Sequence, residues 1–255
     1  MKTYDDLLKS KELKTPKRGL KKIPALGTHL FPHQANTVDY LLQCGRGAAF
    51  LDTGLGKTAC ELEWARVVAE HTNKPVLFFA PLAVAQQHQR EGDRFGVDVK
   101  IAKTQDDVGG AGVYITNYEK LKHFDRHKFG AVVLDESSII KSFGGKTSLA
   151  LMDFAKDMQF RLAATATPAP KDYMELGQHS QFLGAMASNE MLARWFITDQ
   201  SEMGKYRLKK HAVRDYWSWV ASWARCVGMP SDLGYDDTAI FCRRCIITCT
   251  RLRSI

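Results

Sequence analysis

The chain has 255 residues, of which 45% are hydrophobic, so it can bury a core as one large domain or two small ones. No apolar run approaches the roughly 20 residues that a helix needs to span a bilayer, and the lysine-rich N-terminus lacks the apolar stretch of a signal peptide. We therefore expect a soluble cytoplasmic protein with no membrane partner. Cysteines scattered singly through the body, Cys44, Cys60 and Cys226, agree with a reducing compartment.

Positive charge is concentrated at the two ends of the chain. The net charge is +8, with +5 in residues 1–22 and +4 in residues 239–255, so the body between them carries −1. The basic N-terminal arm, delimited as 1–28, is either a solvated lysine tail or a segment that contacts phosphates. The body itself has no strong electrostatic signature of nucleic-acid binding.

Residues 29–187 alternate short apolar strands with helical stretches, which is typical of a parallel sheet covered by helices. Strands are predicted over 48–51, 76–80, 97–102, 113–116, 131–134 and 160–164. The predicted fold class is therefore α/β. In open α/β sheets, ligands bind at the carboxyl ends of the strands, so motifs at those positions carry the most functional information.

The first strand runs into a predicted phosphate-binding loop at residues 51–58, LDTGLGKT, and an amphipathic helix follows. Gly54 and Gly56 allow successive backbone N–H groups to point at one anion. Lys57 can reach the β and γ phosphates, and the Thr58 hydroxyl suits Mg²⁺. Leu51 stands where the longer form of the motif has glycine, so the match is to the shorter G-x-G-K-T form. A chance glycine turn before a helix is the alternative. The loop residues predicted to bind nucleotide are Thr53, Gly54, Leu55, Gly56, Lys57 and Thr58.

Two carboxylates follow the apolar strand at 131–134. Asp135 can hold the hydration shell of the metal, and Glu136 can orient or deprotonate the attacking water. The predicted catalytic residues are Lys57, Asp135 and Glu136, and the predicted metal ligands are Thr58 and Asp135.

Residues 188–238 are predicted to form a helical extension rich in aromatic and basic residues. Tyr216, Trp219 and Trp223 fall on one helical face, which favours packing. Because aromatic residues interleaved with cations also form platforms for single strands, nucleic-acid contact stays open.

Residues 239–255 are predicted to be an irregular tail. Cys242 and Cys245 have metal-ligand spacing and Cys249 follows, but a structural zinc site needs four ligands and Cys226 is the only distant candidate. The absence of acidic residues favours a truncated or frame-shifted end instead.

In their order, these segments resemble the N-terminal ATP-binding lobe of helicase superfamily-two (DEAD-like) ATPases, most closely the Swi/Snf-type DNA translocases and their phage relatives. The resemblance covers residues 29–183. It implies a RecA-like P-loop lobe, ATP and Mg²⁺ as cofactors, and sequence-independent contact with DNA, duplex above all. Gln34, within LFPHQ, is similar to the family's upstream glutamine motif, which implies contact with adenine; a satisfied surface glutamine is the alternative.

Further segments are similar to motifs that face the nucleic-acid backbone or couple it to the nucleotide. Residues 80–82 (APL), with Gln87, His88 and Glu91 after them, resemble motif Ia, and residues 115–119 (ITNYE) resemble motif Ib. Residues 161–168 (RLAATATP) resemble motif III, which implies that Thr165 and Thr167 couple the two sites. Residues 135–138 (DESS) correspond to the family's D-E-x-x box, in which Ser138 replaces the usual histidine. In motif III, Ala166 replaces the usual glycine. The implied nucleic-acid contacts are Pro81, Thr116, Asn117 and Tyr118.

The family also uses a second lobe that supplies arginine fingers, and too little chain follows residue 183 to build one. We therefore expect an ATP hydrolase coupled to movement on DNA that is slow alone and pairs with a second lobe or partner protein. A non-catalytic, nucleotide-switched module for DNA or a partner is the alternative, and an unrelated P-loop enzyme such as a small kinase is a third. If the chain is phage-encoded, it would act in the host cytoplasm.

Overall fold

The computed structural model describes residues 13–141, 145–198 and 206–238. The first twelve residues of the basic arm and the predicted tail at 239–255, with its three cysteines, lie outside these ranges. Within them, the helices are α1 (Pro32–Cys44), α2 (Lys57–Thr72), α3 (Ala85–Phe95), α4 (Lys146–Ala155), α5 (Leu176–Leu183), α6 (Ser188–Trp195) and α7 (Val213–Val220). The strands are β1 (Arg46–Leu51), β2 (Pro75–Ala80), β3 (Val99–Ile101), β4 (Gly112–Asn117), β5 (Ala131–Asp135), β6 (Phe160–Ala164), β7 (Phe196–Thr198), β8 (Tyr206–Leu208) and β9 (Ala224–Val227).

Short 3₁₀ helices connect these elements. They span Leu82–Val84, Gln105–Asp107, Tyr118–His123, Arg126–Lys128, Ser137–Lys141, Tyr173–Glu175, Lys210–Ala212 and Pro230–Leu233. None of the helices in the described ranges combines the length and apolarity that a bilayer span requires.

A seven-stranded sheet with the order β3-β4-β2-β5-β6-β1-β9 organises the chain, and every neighbouring pair in it is parallel. β7 and β8 form a separate antiparallel pair. Because all seven strands run the same way, their carboxyl ends share one edge, where β1, β5 and β6 lie side by side.

Two apolar cores lie on the two faces of this sheet. Successive residues of a strand point to opposite faces, so Phe50 packs in one core and Leu51 in the other. α1, α2 and α3 cover the Leu51 face, and α4, α5, α6 and α7 cover the Phe50 face. Burial on both faces explains why the strands read as continuous apolar runs.

The predicted strands are confirmed, with small differences at their ends. The strand predicted over 97–102 is shorter, because only Val99–Ile101 pairs with β4. The extension predicted as helical contains α6 and α7, but it also contributes the β7–β8 pair and β9. β9 pairs with β1 in parallel, so the extension completes the main sheet.

The aromatic residues of the extension form a packed cluster, which confirms packing for three of its tryptophans. Trp195, Trp219 and Trp223 are each at most 3% exposed. The rings of Trp195 and Trp219 lie 4.6 Å apart, and Trp223 reaches Phe50 of β1 edge-on at 6.1 Å. The cluster therefore fixes the extension to the strand that precedes the phosphate loop.

The described part of the basic arm lies against the body. The backbone N–H groups of Arg18, Gly19 and Leu20 donate to carbonyls in the last turn of α1, at 2.9–3.1 Å. A helix leaves its last carbonyls without partners inside the helix, so this segment caps α1. Residues 18–20 are thus structural, whatever the residues before them contact.

Candidate functional site

The loop at 51–58 connects the end of β1 to the start of α2 at the carboxyl edge of the sheet. Gly54 and Gly56 have φ angles of 89° and 77°, which favour glycine. A Cβ on Gly56 would also lie 2.1 Å from Nε2 of Gln34. Backbone conformation therefore requires both glycines, and the contact with Gln34 adds a second reason at Gly56.

The three predicted catalytic side chains meet in space. Lys57 Nζ lies 3.3 Å from Asp135 Oδ1 and 3.4 Å from Glu136 Oε2. Burial lowers the pKa of Lys57, but the carboxylates of Glu61, Asp135 and Glu136 outweigh it, so the pKa is raised. Lys57 is therefore cationic at the start of α2, directly after the glycine loop.

Glu136 has an uncommon backbone conformation for a residue other than glycine, with φ at 55°. The buried Thr165 hydroxyl, just beyond β6, donates to Glu136 Oε1 at 2.7 Å and accepts from the N–H of Thr167 at 3.1 Å. Burial raises the pKa of Glu136, but Thr165 and Lys57 outweigh it and lower the pKa. Glu136 is thus a carboxylate at neutral pH, held in one orientation. Both residues predicted to couple, Thr165 and Thr167, belong to this chain of hydrogen bonds.

Gln34 is buried and satisfied, with 5% of its surface exposed. Its Nε2 donates to the carbonyl of Leu55 at 2.9 Å, and its Oε1 accepts from the N–H of Phe31. Gln34 therefore supports the phosphate loop from α1, while its predicted contact with adenine stays a prediction.

The predicted metal ligands supply oxygen donors only. Thr58 is half-buried in the first turn of α2, and Asp135 ends β5. A hydroxyl and a carboxylate are the donor types that Mg²⁺ prefers, so this set fits the ion. Thr53 is exposed, and its backbone N–H donates to Asp52 Oδ1 at 2.6 Å.

The four predicted nucleic-acid contacts differ in accessibility. Pro81 is exposed, and Asn117 is half-buried and accepts from the N–H of Lys120. Thr116 and Tyr118 are 3% and 9% exposed, and the Tyr118 hydroxyl donates to the carbonyl of Asp135 at 2.6 Å. Tyr118 therefore buttresses the carboxylate pair, and the accessible candidates are Pro81 and Asn117.

His179, to which the sequence analysis assigned no role, contacts the residue that follows Glu136. His179 of α5 is fully buried, and its Nε2 lies 3.0 Å from Ser137 Oγ. Its ring also packs edge-on against Phe50 at 5.2 Å. Burial lowers the pKa of His179 to about 4, so it is neutral at physiological pH. Ser137, which follows Glu136, is thus connected through His179 to Phe50 in the core.

A second group that the sequence reasoning missed lies behind Asp135. Glu61, four residues after Lys57 on α2, is fully buried, and burial raises its pKa to about 7. His88 Nε2 lies 3.3 Å from Asp135 Oδ2 and 3.9 Å from Glu61 Oε2. The sequence analysis named His88 only as part of the segment that resembles motif Ia, and it gave Glu61 no role; their proximity to Asp135 comes from the packing of α2 and α3 on the sheet.

Comparison with known proteins places the fold. No protein-family model matches the chain. Protein p41 of Acyrthosiphon pisum secondary endosymbiont phage 1 is 28% identical over 194 residues, which cover 65% of this chain and 42% of p41.

Solved structures that match the chain at lower identity identify its fold. The Sulfolobus solfataricus SWI2/SNF2 ATPase core in complex with dsDNA is 18% identical, with a TM-score of 0.61 over 84% of this chain and 46% of that one. The ATPase core domain from the same organism gives 16% and 0.59, over 80% and 45%. The Pyrococcus furiosus Hef helicase domain gives 16% and 0.52, over 63% and 39%. This chain spans less than half the length of each of these proteins. Its described residues have the RecA-like fold of SWI2/SNF2 ATPase cores and helicase domains.

Proposed function

We propose that this chain is the ATP-binding lobe of a DNA-dependent ATPase that couples ATP hydrolysis to movement on DNA. One observation carries the proposal. A lysine from the phosphate loop, two carboxylates from the end of β5 and a hydroxyl from the end of β6 converge through contacts of 2.7–3.4 Å. These groups follow three different strands that are far apart in the sequence. They come together because β1, β5 and β6 lie side by side and run parallel.

Each group has a role in transferring the γ phosphoryl group of ATP to water. Lys57 would leave the carboxylates and contact the β and γ phosphates, with the N–H groups of the glycine loop around them. Thr58 and Asp135 would hold Mg²⁺, which supplies positive charge that stabilises the phosphates during transfer. Glu136, ionised and fixed by Thr165, would orient the attacking water and take its proton.

The proposed DNA contact is independent of base sequence. Pro81 directly follows β2 and Asn117 is the last residue of β4, so both lie at the same edge as the loop at 51–58, and both have accessible surface. Contacts to phosphate carry no base code, so we expect salt-sensitive binding without sequence preference. The Sulfolobus core captured with dsDNA supports duplex DNA as the partner.

A second lobe or partner protein is part of the proposal. A cleft of about 510 Å³ runs from Asp52 and Thr167 to Trp217 and Val227, beside the phosphate loop. In related P-loop systems, an arginine from a facing partner accelerates phosphoryl transfer on the order of 10³–10⁵-fold. We therefore expect the chain alone to bind ATP and hydrolyse it slowly.

The test measures binding of a fluorescent ATP analogue and ATP turnover with and without duplex DNA. Lys57→Ala should abolish binding, because it removes the cation that faces the phosphates. Lys74→Ala is the matched control, since Lys74 is an exposed lysine just beyond the other end of α2. If wild type and Lys57→Ala bound the ATP analogue with equal affinity, the proposed nucleotide site would be wrong. Tight ATP binding without turnover, even with a supplied second lobe, would favour a nucleotide-switched binding module instead.

A further inference from the structure

The backbone of Glu136 is held in a conformation that glutamate rarely adopts. Its φ of 55° lies in the left-handed region, and Asn73 is the only other residue except glycine with a positive φ among those that the structure describes. Asparagine is several-fold enriched in that region, whereas glutamate is not. Contacts on the neighbouring peptides must therefore keep Glu136 in place.

Both peptides that flank Glu136 are hydrogen-bonded. On one side, the carbonyl of Asp135 accepts from the Tyr118 hydroxyl at 2.6 Å. On the other side, the carbonyl of Glu136 accepts from the N–H of Ile139 at 3.3 Å. Each peptide is a rigid plane, so φ and ψ of Glu136 describe how the two planes are rotated about its Cα. The two bonds together therefore restrain both angles.

The Tyr118 hydroxyl makes the shorter of these bonds, and its own position is fixed. Tyr118 is 9% exposed, and its ring stacks on Phe79 of β2 at 5.8 Å with 25° between the planes. Its backbone begins the 3₁₀ helix Tyr118–His123, in which the Asn117 side chain accepts from the N–H of Lys120 at 3.1 Å. The hydroxyl is thus a donor held both by the core and by its backbone.

The carboxylate of Glu136 has contacts of its own. Thr165 donates to Oε1 at 2.7 Å, and Lys57 Nζ lies 3.4 Å from Oε2. If Lys57 turns to the phosphates when ATP binds, as the proposed function requires, the second of these contacts is lost. The direction of the carboxylate would then depend more strongly on Thr165 and on the backbone that Tyr118 restrains.

We propose that Tyr118 is a positioning residue whose hydroxyl holds the peptide between Asp135 and Glu136, so that the Glu136 carboxylate faces the attacking water. This inference rests on the proposed function. It gives a role in hydrolysis to the tyrosine of a segment that resembles a nucleic-acid motif. Because the bond is made by the hydroxyl alone, phenylalanine at position 118 removes it and keeps the ring against Phe79.

The test measures single-turnover release of phosphate from ATP by the full chain, with protein in excess and duplex DNA present. Tyr118→Phe should lower the rate about 10–100-fold, because misplacing a catalytic group by about 1 Å can cost about 10²-fold. Affinity for the fluorescent ATP analogue with Mg²⁺ should stay at the wild-type value. The lost bond lies beyond the Asp135 side chain, and Asp135 is still held by the pairing of β5 with β6.

A double variant separates positioning from a general loosening of the site. Glu136→Gln/Tyr118→Phe should be as slow as Glu136→Gln alone, because Tyr118 acts through a carboxylate that is already absent. If the two losses of rate multiplied, Tyr118 would affect hydrolysis by another route.

Tyr216→Phe is the matched control. Tyr216 of α7 is 0% exposed, and its hydroxyl donates to the carbonyl of Tyr173 at 2.9 Å, so the substitution removes a bond of the same kind away from Glu136. We expect the unfolding temperature to fall by a similar amount in Tyr118→Phe and Tyr216→Phe, and the rate of hydrolysis to stay at the wild-type value in Tyr216→Phe.

Three outcomes would overturn the proposal: a wild-type rate in Tyr118→Phe, an equal loss of rate in Tyr216→Phe, or multiplied losses in the double variant. A wild-type rate combined with weaker binding of duplex DNA by Tyr118→Phe would assign the hydroxyl to nucleic-acid contact instead. If wild type bound the ATP analogue but released no more phosphate than Lys57→Ala, the proposed function itself would be wrong, and this role with it.

Discussion

Replacing Thr165 with valine isolates the hydroxyl that ties β6 to Glu136. Valine has nearly the same shape, so the buried position keeps its packing while two hydrogen bonds disappear. The lost bonds are the 2.7 Å donation to Glu136 Oε1 and the 3.1 Å acceptance from the N–H of Thr167.

The expected loss of stability follows from what replaces those bonds. A hydrogen bond to a charged group contributes about 1.5–3 kcal/mol when both partners are buried. The Glu136 side chain is 41% exposed and Thr167 is exposed, so water can reach both orphaned groups. We therefore expect a loss around the lower end of that range or slightly below it, about 1–2 kcal/mol. For a chain of this size, that loss corresponds to a fall in unfolding temperature of about 2–8 °C.

The measurement is thermal unfolding of wild type, Thr165→Val and Thr165→Ser at several pH values. Serine keeps the hydroxyl and should lie close to wild type. The pKa of Glu136 is lower in the folded state than in the unfolded state, so its contribution is present above the ordinary glutamate pKa, about 4.3, and is lost as the pH falls through the folded value. The difference between Thr165→Val and wild type should shrink over that acidic range.

Two results would refute this reasoning. Wild-type stability of Thr165→Val at neutral pH would mean that the hydroxyl contributes nothing. Equal destabilisation by serine and valine would instead assign the effect to the methyl group and its packing.

Two further predictions concern residues joined to this network. Glu136→Gln should bind ATP·Mg²⁺ as wild type does, since the amide oxygen still accepts from Thr165, but hydrolysis should fall roughly 10²–10⁴-fold because no carboxylate takes the proton. A variant that loses ATP·Mg²⁺ binding would reverse the roles of Asp135 and Glu136. For His179, burial lowers the folded pKa to about 4. The unfolded value is about 6.5, so the unfolded state binds more protons between the two and stability falls by up to about 2 kcal/mol from pH 7 to pH 5. His179→Gln should flatten that dependence in urea titrations, and an unchanged slope would contradict it.

The sequence predicted the sheet well because burial on both faces leaves a visible pattern. The strand at 160–164 matches β6 at both ends, and every residue in it is buried. β9 escaped prediction because Ala-Arg-Cys-Val, residues 224–227, carries a half-buried arginine and an exposed cysteine within a short run. Pairing with β1 makes this segment a strand, and local sequence does not contain that information.

The sequence also predicted the loop at 51–58 and the carboxylate pair at 135–136. Each follows a predicted strand, and the carboxyl ends of parallel strands lie at one edge of the sheet. The groups behind them were not predicted. Glu61, His88 and His179 come from different helices, and only the packing of α2, α3 and α5 on the sheet brings them to Asp135 and Ser137. Resemblance also placed Tyr118 among the nucleic-acid contacts, and that role stays a prediction. What the sequence did not indicate is that the Tyr118 ring packs against Phe79.

The position of β9 has a consequence for how the protein is made. β1 lies between β6 and β9, and the N–H of Asp52 at the mouth of the phosphate loop donates to the carbonyl of Val227. Until residues 224–227 are synthesised, β1 has an unpaired edge next to its glycine loop. At 5–20 residues per second, the ribosome needs roughly 10–35 s to cover the distance from Leu51 to Val227. During that interval β1 has an unpaired edge next to the loop at 51–58, and exposed strand edges of this kind make incompletely folded chains prone to aggregation.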